Sequence, residues 1–121
     1  MNQFLFLGSI NAAIAIMAGA FAAHGLKSRL STHYLEVFQT GAQYHFYHAL
    51  ALLIVGIIIQ QFPEQGLLKW SGYLFLLGIL LFSGSLYTLS ITGITWLGAI
   101  TPLGGVAFIV GWLMMAVVFL K

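Results

Sequence analysis

The chain has 121 residues, 61% of them hydrophobic and only 5% charged, where a soluble domain carries about a quarter charged residues. Four cations, two carboxylates and no cysteine leave no ground for a nucleic-acid binder, a disulfide scaffold or a thiolate metal site. The composition is that of an integral membrane protein, and helices needing roughly 20 residues each to cross the bilayer use up most of the length.

The first apolar block, residues 4–23, is interrupted only by Ser9 and Asn11. Gly8, Ala12, Ala15, Gly19 and Ala22 recur at spacings of four and three, which lines one helical face with small residues and lets another helix approach closely. The run "AGAFAA" inside it looks like a signal cleavage site. No basic segment precedes it, however, and its apolar length exceeds the roughly 7–15 residues of a signal peptide, so a retained span is expected.

Residues 32–44 read as an amphipathic helix, with Thr32, His33, Glu36, Gln39, Thr40 and Gln43 in one sector of roughly 120°. This segment either lies flat in the interface, bending at Gly41, or stands as an aqueous extension of the second helix. The apolar run that follows stops at Gln60, Gln61 and Pro63, which gives a second helix over 32–60. A third is predicted over 67–91. In "TGITWLGAITPLGG", Thr101 and Pro102 fit an N-cap with proline at the first helical position, or a kink within a longer helix, so a fourth helix over 97–120 has an open start. Trp70, Tyr73 and Trp96 fall near predicted ends, as interfacial aromatics do, whereas Trp112 lies deeper and reads as packing.

Charges sit almost wholly between the blocks, and none separates Lys69 from Lys121, as spanning helices require. The expected fold class is therefore all-α, an integral membrane antiparallel four-helix transmembrane bundle forming one domain over 1–121. Lys27 and Arg29 stand on one side, Lys69 and Lys121 on the other, so cations alone give a tie in orientation. Extra weight on the first connection places the histidine side in the cytoplasm.

Four crossings put the first and third connections on one side of the membrane. That side gathers His24, Gln43, His45 and His48 with the hydroxyls of Ser83, Ser85, Tyr87, Thr88, Ser90 and Thr101, whereas the other half has much less, chiefly Ser9, Asn11, Ser71 and Tyr73 inside the spans. His45 and His48, three apart on one helical face, fall one or two turns below the interface, where ionisable residues usually face the bundle interior. On a continuous helix they point away from the Glu36, Gln39 and Gln43 stripe, so the two polar features need not form one site. The phenol of Tyr87 is the hydroxyl expected to meet an imidazole across the bundle.

The segments "GAFAAHGLK" at 19–27, "QYHFYHALALL" at 43–53, "FSGSLY" at 82–87 and "LGAITPLGGVAFIVGW" at 97–112 resemble the family of small membrane proteins of unknown function typified by bacterial YgdD and YwdK (domain of unknown function 423). The chain is likewise similar to eukaryotic transmembrane protein 256. The resemblance covers nearly the whole chain and implies a four-helix integral protein of the bacterial cytoplasmic membrane, with no molecular activity attached. A departure falls at Ala22, where the family pattern leads one to expect glycine.

A metal site needs three or four ligands, and His45 and His48 supply two, with His24 as a third candidate. Haem held by histidines from two helices is a further reading. Against both stands the plainer one, that the imidazoles hydrogen-bond within the bundle, and no cofactor is expected. Aspartate is absent, no carboxylate lies in a span and no phosphate loop follows a strand, so enzymatic activity is not expected. The expected function is a non-enzymatic membrane interaction or scaffold protein with a polar histidine cluster at one membrane face. The alternative is a metal-, small-ligand- or proton-handling protein using the same cluster. Expected partners are the lipid bilayer and either a second copy or another membrane protein, with no nucleic acid.

Overall fold

A computed structural model describes residues 2–120, and every regular element in it is helical; Lys121, counted above among the cations, lies outside them. The first helix, α1 (Gln3–Phe21), begins at Asn2, whose Oδ1 accepts the backbone N–H groups of Phe4 and Leu5 at 3.1 and 3.3 Å. Those donors have no partner inside a helix, so the cap stabilises the start. The Nδ2 of the same Asn2 donates to the Gly56 carbonyl at 2.7 Å, which pins the start of α1 to the second span. A π-helical turn, Ala22–Leu26, then carries the first span on to Leu26.

Ser31 opens α2 (Thr32–Gln61), its Oγ accepting the N–H of Tyr34 at 3.2 Å. The helix is continuous through Gly41, so residues 32–44 form an extension of the second span and not a separate interfacial segment. Packing explains why. Phe38 is buried with Ala22 and Leu26, and Leu35 and Tyr87 pack against that cluster. At about 1.5 Å per residue the 30 residues of α2 reach about 45 Å, more than the roughly 30 Å of hydrocarbon.

The third span, Gly66–Thr92, consists of α3 (Gly66–Gly78), a π-helical turn (Ile79–Ser83) and α4 (Gly84–Thr92). It ends at Gly93, which has a left-handed φ of 73° and donates its N–H to Leu89 O at 2.7 Å. A 3-10 turn, Thr95–Ala99, leads into α5 (Thr101–Val118), and together they make the fourth span. The N-cap of α5 is Ile100, not Thr101. The Thr101 hydroxyl lies instead 2.6 Å from Ser85 Oγ, joining the third and fourth spans. Because Ser85 Oγ already donates to Phe82 O, Thr101 is the donor.

These four long apolar helices pack together, each long and apolar enough to cross a membrane. Their main core joins Phe4, Leu52, Val55, Leu68, Phe75 and Phe108. Lipid tails are as apolar as leucine, so close contact and interhelical hydrogen bonds have to hold the bundle. The small-residue stripe of α1 supplies one such contact, with Gly8, Ala15 and Ala22 buried. A Cβ on Gly8 would come within 2.9 Å of both Ala49 O and Leu53 Cγ. The stripe thus receives α2 at Gly8, whereas a Cβ on Gly19 would meet nothing within 4 Å.

Candidate functional site

His45 is buried in the middle of three spans. Its Nε2 lies 2.9 Å from Asn11 Oδ1 on α1, and its Nδ1 lies 2.9 Å from Tyr87 Oη on α4. Hydrogen-bond chemistry fixes the direction of this chain. Asn11 Nδ2 donates to Leu7 O at 2.8 Å, so the amide oxygen faces the ring and requires Nε2 to carry the proton. Nδ1 of the neutral ring is then an acceptor, and the Tyr87 phenol donates to it.

His48 is equally buried, and it looks toward the fourth span. Its Nδ1 lies 2.8 Å from Tyr44 O one turn earlier; a carbonyl can only accept, so Nδ1 carries the proton. Nε2 is left as an acceptor and takes the indole N–H of Trp112 at 3.1 Å. The imidazole also stacks on Phe108, with ring centroids 3.5 Å apart and planes 8° from parallel. The two histidines therefore hold opposite tautomers, although they are three residues apart on one helix. The difference follows from their neighbours: an amide oxygen meets Nε2 in one case and an indole N–H in the other.

The family description "Protein of unknown function (DUF423)" matches residues 18–105. The chain is 51% identical over 121 residues to the UPF0382 membrane protein YwdK of Bacillus subtilis, with 100% of this chain and 98% of the relative covered. A UPF0382 membrane protein of Staphylococcus aureus is 47% identical over the same span, again with 100% and 98% covered. The chain belongs to the DUF423/UPF0382 membrane protein family. Another relative, a UPF0382 membrane protein of Staphylococcus saprophyticus, is 49% identical over 117 residues, covering 97% of this chain and 96% of its own. No solved structure matches the chain.

In this family member the candidates His24, Gln43, Ser83 and Thr101 do not join the histidines. His24 sits in the π-helical turn that ends the first span and is exposed, while both ring nitrogens of His45 and His48 are engaged inside the bundle. Among the described residues no group of three or more His, Asp or Glu side chains comes together to hold a metal, so the trio His24, His45 and His48 is not assembled. Sharing a membrane side brings residues to one level without turning them inward. Gln43 lies on the outer face of α2, and its Nε2 donates to Tyr47 Oη at 2.6 Å. Thr101 belongs to Ser85, as described.

Ser83 is the unusual member. Its side chain is 0% exposed, and its Oγ is the one buried side-chain polar atom without a hydrogen-bond partner among the described residues. In an α-helix a serine hydroxyl bonds the carbonyl one turn back, as Ser90 does to Leu86 O at 2.8 Å. Here the Ile79 carbonyl takes the N–H of Gly84 in the wider π turn.

Two residues of the polar network escaped the sequence reading. Asn11 is expected in the half of the bundle away from the histidines, yet it bonds His45; a polar side chain inside a span needs a partner, and that is the available signal. Trp112 was read as packing; its indole N–H is a donor that, inside a bundle, also needs an acceptor.

Proposed function

We propose that this UPF0382 family member acts without catalysis, as an interaction or scaffold protein of the membrane, and that its buried histidines set the packing of its helices. A single observation carries the reading. All four ring nitrogens of His45 and His48 have hydrogen-bond partners within the bundle, so neither imidazole offers a free nitrogen for a metal, a substrate or general-base chemistry. Glu36 and Glu64 are both exposed, which leaves the described interior without a carboxylate to complete an acid-base pair.

The partner is another membrane protein or a second copy of the chain. The surface available for it includes the outer face of the α2 extension, where Thr32, His33, Glu36, Gln39 and Thr40 are exposed. Photo-crosslinking from position 39 in intact membranes, followed by purification in native-lipid nanodiscs and mass analysis, tests the reading. A discrete adduct of fixed stoichiometry is the expected result. A chain that stays monomeric and uncrosslinked in several lipid compositions would overturn it.

A further inference from the structure

We propose that a groove on the lipid-facing surface, between α2, the π turn of the third span and α5, binds a membrane-soluble amphiphile with a flat conjugated ring, acceptor oxygens on that ring and a single apolar tail. The groove is open along one side and has a volume of about 600 Å³, within the range of small-molecule sites, which are mostly apolar with a few polar groups for orientation.

The aromatic lining of its wall favours a ring as the bound group. Tyr44 and Phe82 lie with centroids 4.9 Å apart, Phe82 and Phe108 5.5 Å apart, and Phe108 carries the stacked His48 ring. The planes of these two pairs are tilted by 43° and 53°, so the groove is lined by ring edges as well as faces, with one face of the buried Phe108 taken by His48, and Trp112 lines it too. Aromatic surfaces of this kind favour offset stacking and edge contacts with another π-system. Gly105 keeps the space clear: a Cβ placed there would meet only Phe82 Cδ2, at 3.9 Å.

Polarity selects the oxygens. Tyr47 Oη already accepts the Gln43 amide N–H, so its own O–H is left to donate. The Tyr44 ring packs against Tyr47, His48 and Phe82, and its hydroxyl has no hydrogen-bond partner among the described residues. Two phenol donors therefore flank an apolar groove, and a ring oxygen satisfies them. His48 presents a ring here and no ligating atom, since both its nitrogens are engaged.

Route and rim exclude other occupants. Tyr47, Ile109 and Trp112 are exposed on a surface that the bilayer covers, so the ligand enters sideways from the lipid. Helices that associate in lipid present small residues to each other. This groove offers one glycine between the bulky side chains of Tyr47 and Trp112, a poor seat for a helix of a second copy.

The test uses full-length protein in nanodiscs with Trp70→Phe and Trp96→Phe, two exposed positions, so that Trp112 is the sole reporter. The probe is 2-decyl-1,4-benzoquinone, whose ring quenches indole fluorescence, and decylcyclohexane is the tail-only competitor. Expected are saturable quenching, roughly fivefold weaker binding for Tyr44→Phe and for Tyr47→Phe as each loses one hydrogen bond, and loss of saturable binding in Gly105→Leu. The melting temperature of Gly105→Leu checks that the bundle still folds; Gly105→Ala, a smaller filling, is the second variant and is expected to weaken binding in part. The proposal is overturned by unsaturable quenching of equal slope in all variants, by decylcyclohexane competing as well as the quinone, or by a dimer that Gly105→Leu dissociates.

Discussion

Trp112 and His48 stand 64 positions apart in sequence, and the indole N–H of the one is aimed at the unprotonated nitrogen of the other at 3.1 Å. This bond ties α5 to α2. Its replacement reads out what one polar contact contributes within a lipid-embedded bundle. Trp112→Phe keeps a ring and removes the donor, and is expected to cost about 1 kcal/mol, within the range of interhelical hydrogen bonds in membranes. A double-mutant cycle with His48→Ala, followed by reversible unfolding in mixed micelles, should give a coupling of about 0.6–1.7 kcal/mol. Strict additivity would mean that the bond contributes nothing.

The chain Asn11, His45 and Tyr87 makes a different prediction, because the middle member serves both ends. Asn11→Ala leaves Nε2–H of His45 without an acceptor, and Tyr87→Phe leaves Nδ1 without a donor. Each change alone is expected to destabilise by about 1–3 kcal/mol, the cost of a buried polar group left unpaired. His45→Ala orphans both outer partners and removes a ring, so it should cost more than either. Chemical denaturation of the three variants in one detergent gives the ranking.

Neighbouring glycines should behave in opposite ways. A Cβ on Gly104 would run into the backbone nitrogen of Phe82, while one on Gly105 meets ordinary space. Gly104→Ala forces α5 away from the π turn and is expected to lose about 1–3 kcal/mol, as overpacking does. Gly105→Ala should stay within about 0.5 kcal/mol of the parent. Thermal unfolding of the pair in the same micelle separates the two outcomes without any ligand present.

Ser83 and Ser85 also differ in sign. Ser83→Ala removes a buried hydroxyl with no partner among the described residues, and is expected to leave stability unchanged or raise it by up to about 1 kcal/mol. Ser85→Ala deprives the Thr101 hydroxyl of its acceptor and should destabilise by about 1 kcal/mol. A Ser83→Ala variant clearly less stable than the parent would show that its hydroxyl has a partner.

Metal removal gives the last prediction. Chelation with EDTA, or titration with zinc, is expected to leave the melting temperature unshifted, since the nitrogens of His45 and His48 are engaged and His24 is exposed in the π turn ending the first span. A stabilisation that saturates with zinc and disappears in His24→Ala would sink it.

The four spans are legible because the bilayer imposes two coarse rules, a minimum apolar length and the exclusion of charge, and both are written directly in the sequence. The inward placement of His45 and His48 could be read from their spacing and from the polar stripe on the opposite face of α2. What each ring touches could not. Asn11 reaches His45 only because α1 is rotated so that its small residues, Gly8 and Ala15, meet α2, and no hydropathy pattern reports that rotation. Trp112 reaches His48 across a bundle in which Gly78 and Gly104 let the third and fourth spans come close, a contact that hydropathy does not report. His24 went astray for the same reason. The π turn at the end of α1 changes which way a side chain leaves the helix, and nothing in "AAHGL" announces that turn.

Three residues along an α-helix amount to about 4.5 Å of rise and, at 100° each, an angular offset of about 60°. His45 and His48 thus hold the second span at two heights and in two directions, toward Asn11 and Tyr87 at one and toward Trp112 at the other. One such fastening would act as a swivel, about which a smooth apolar rod could spin in oil. Two that are not collinear remove both spin and slide, and so give the rod a single azimuth and a single depth.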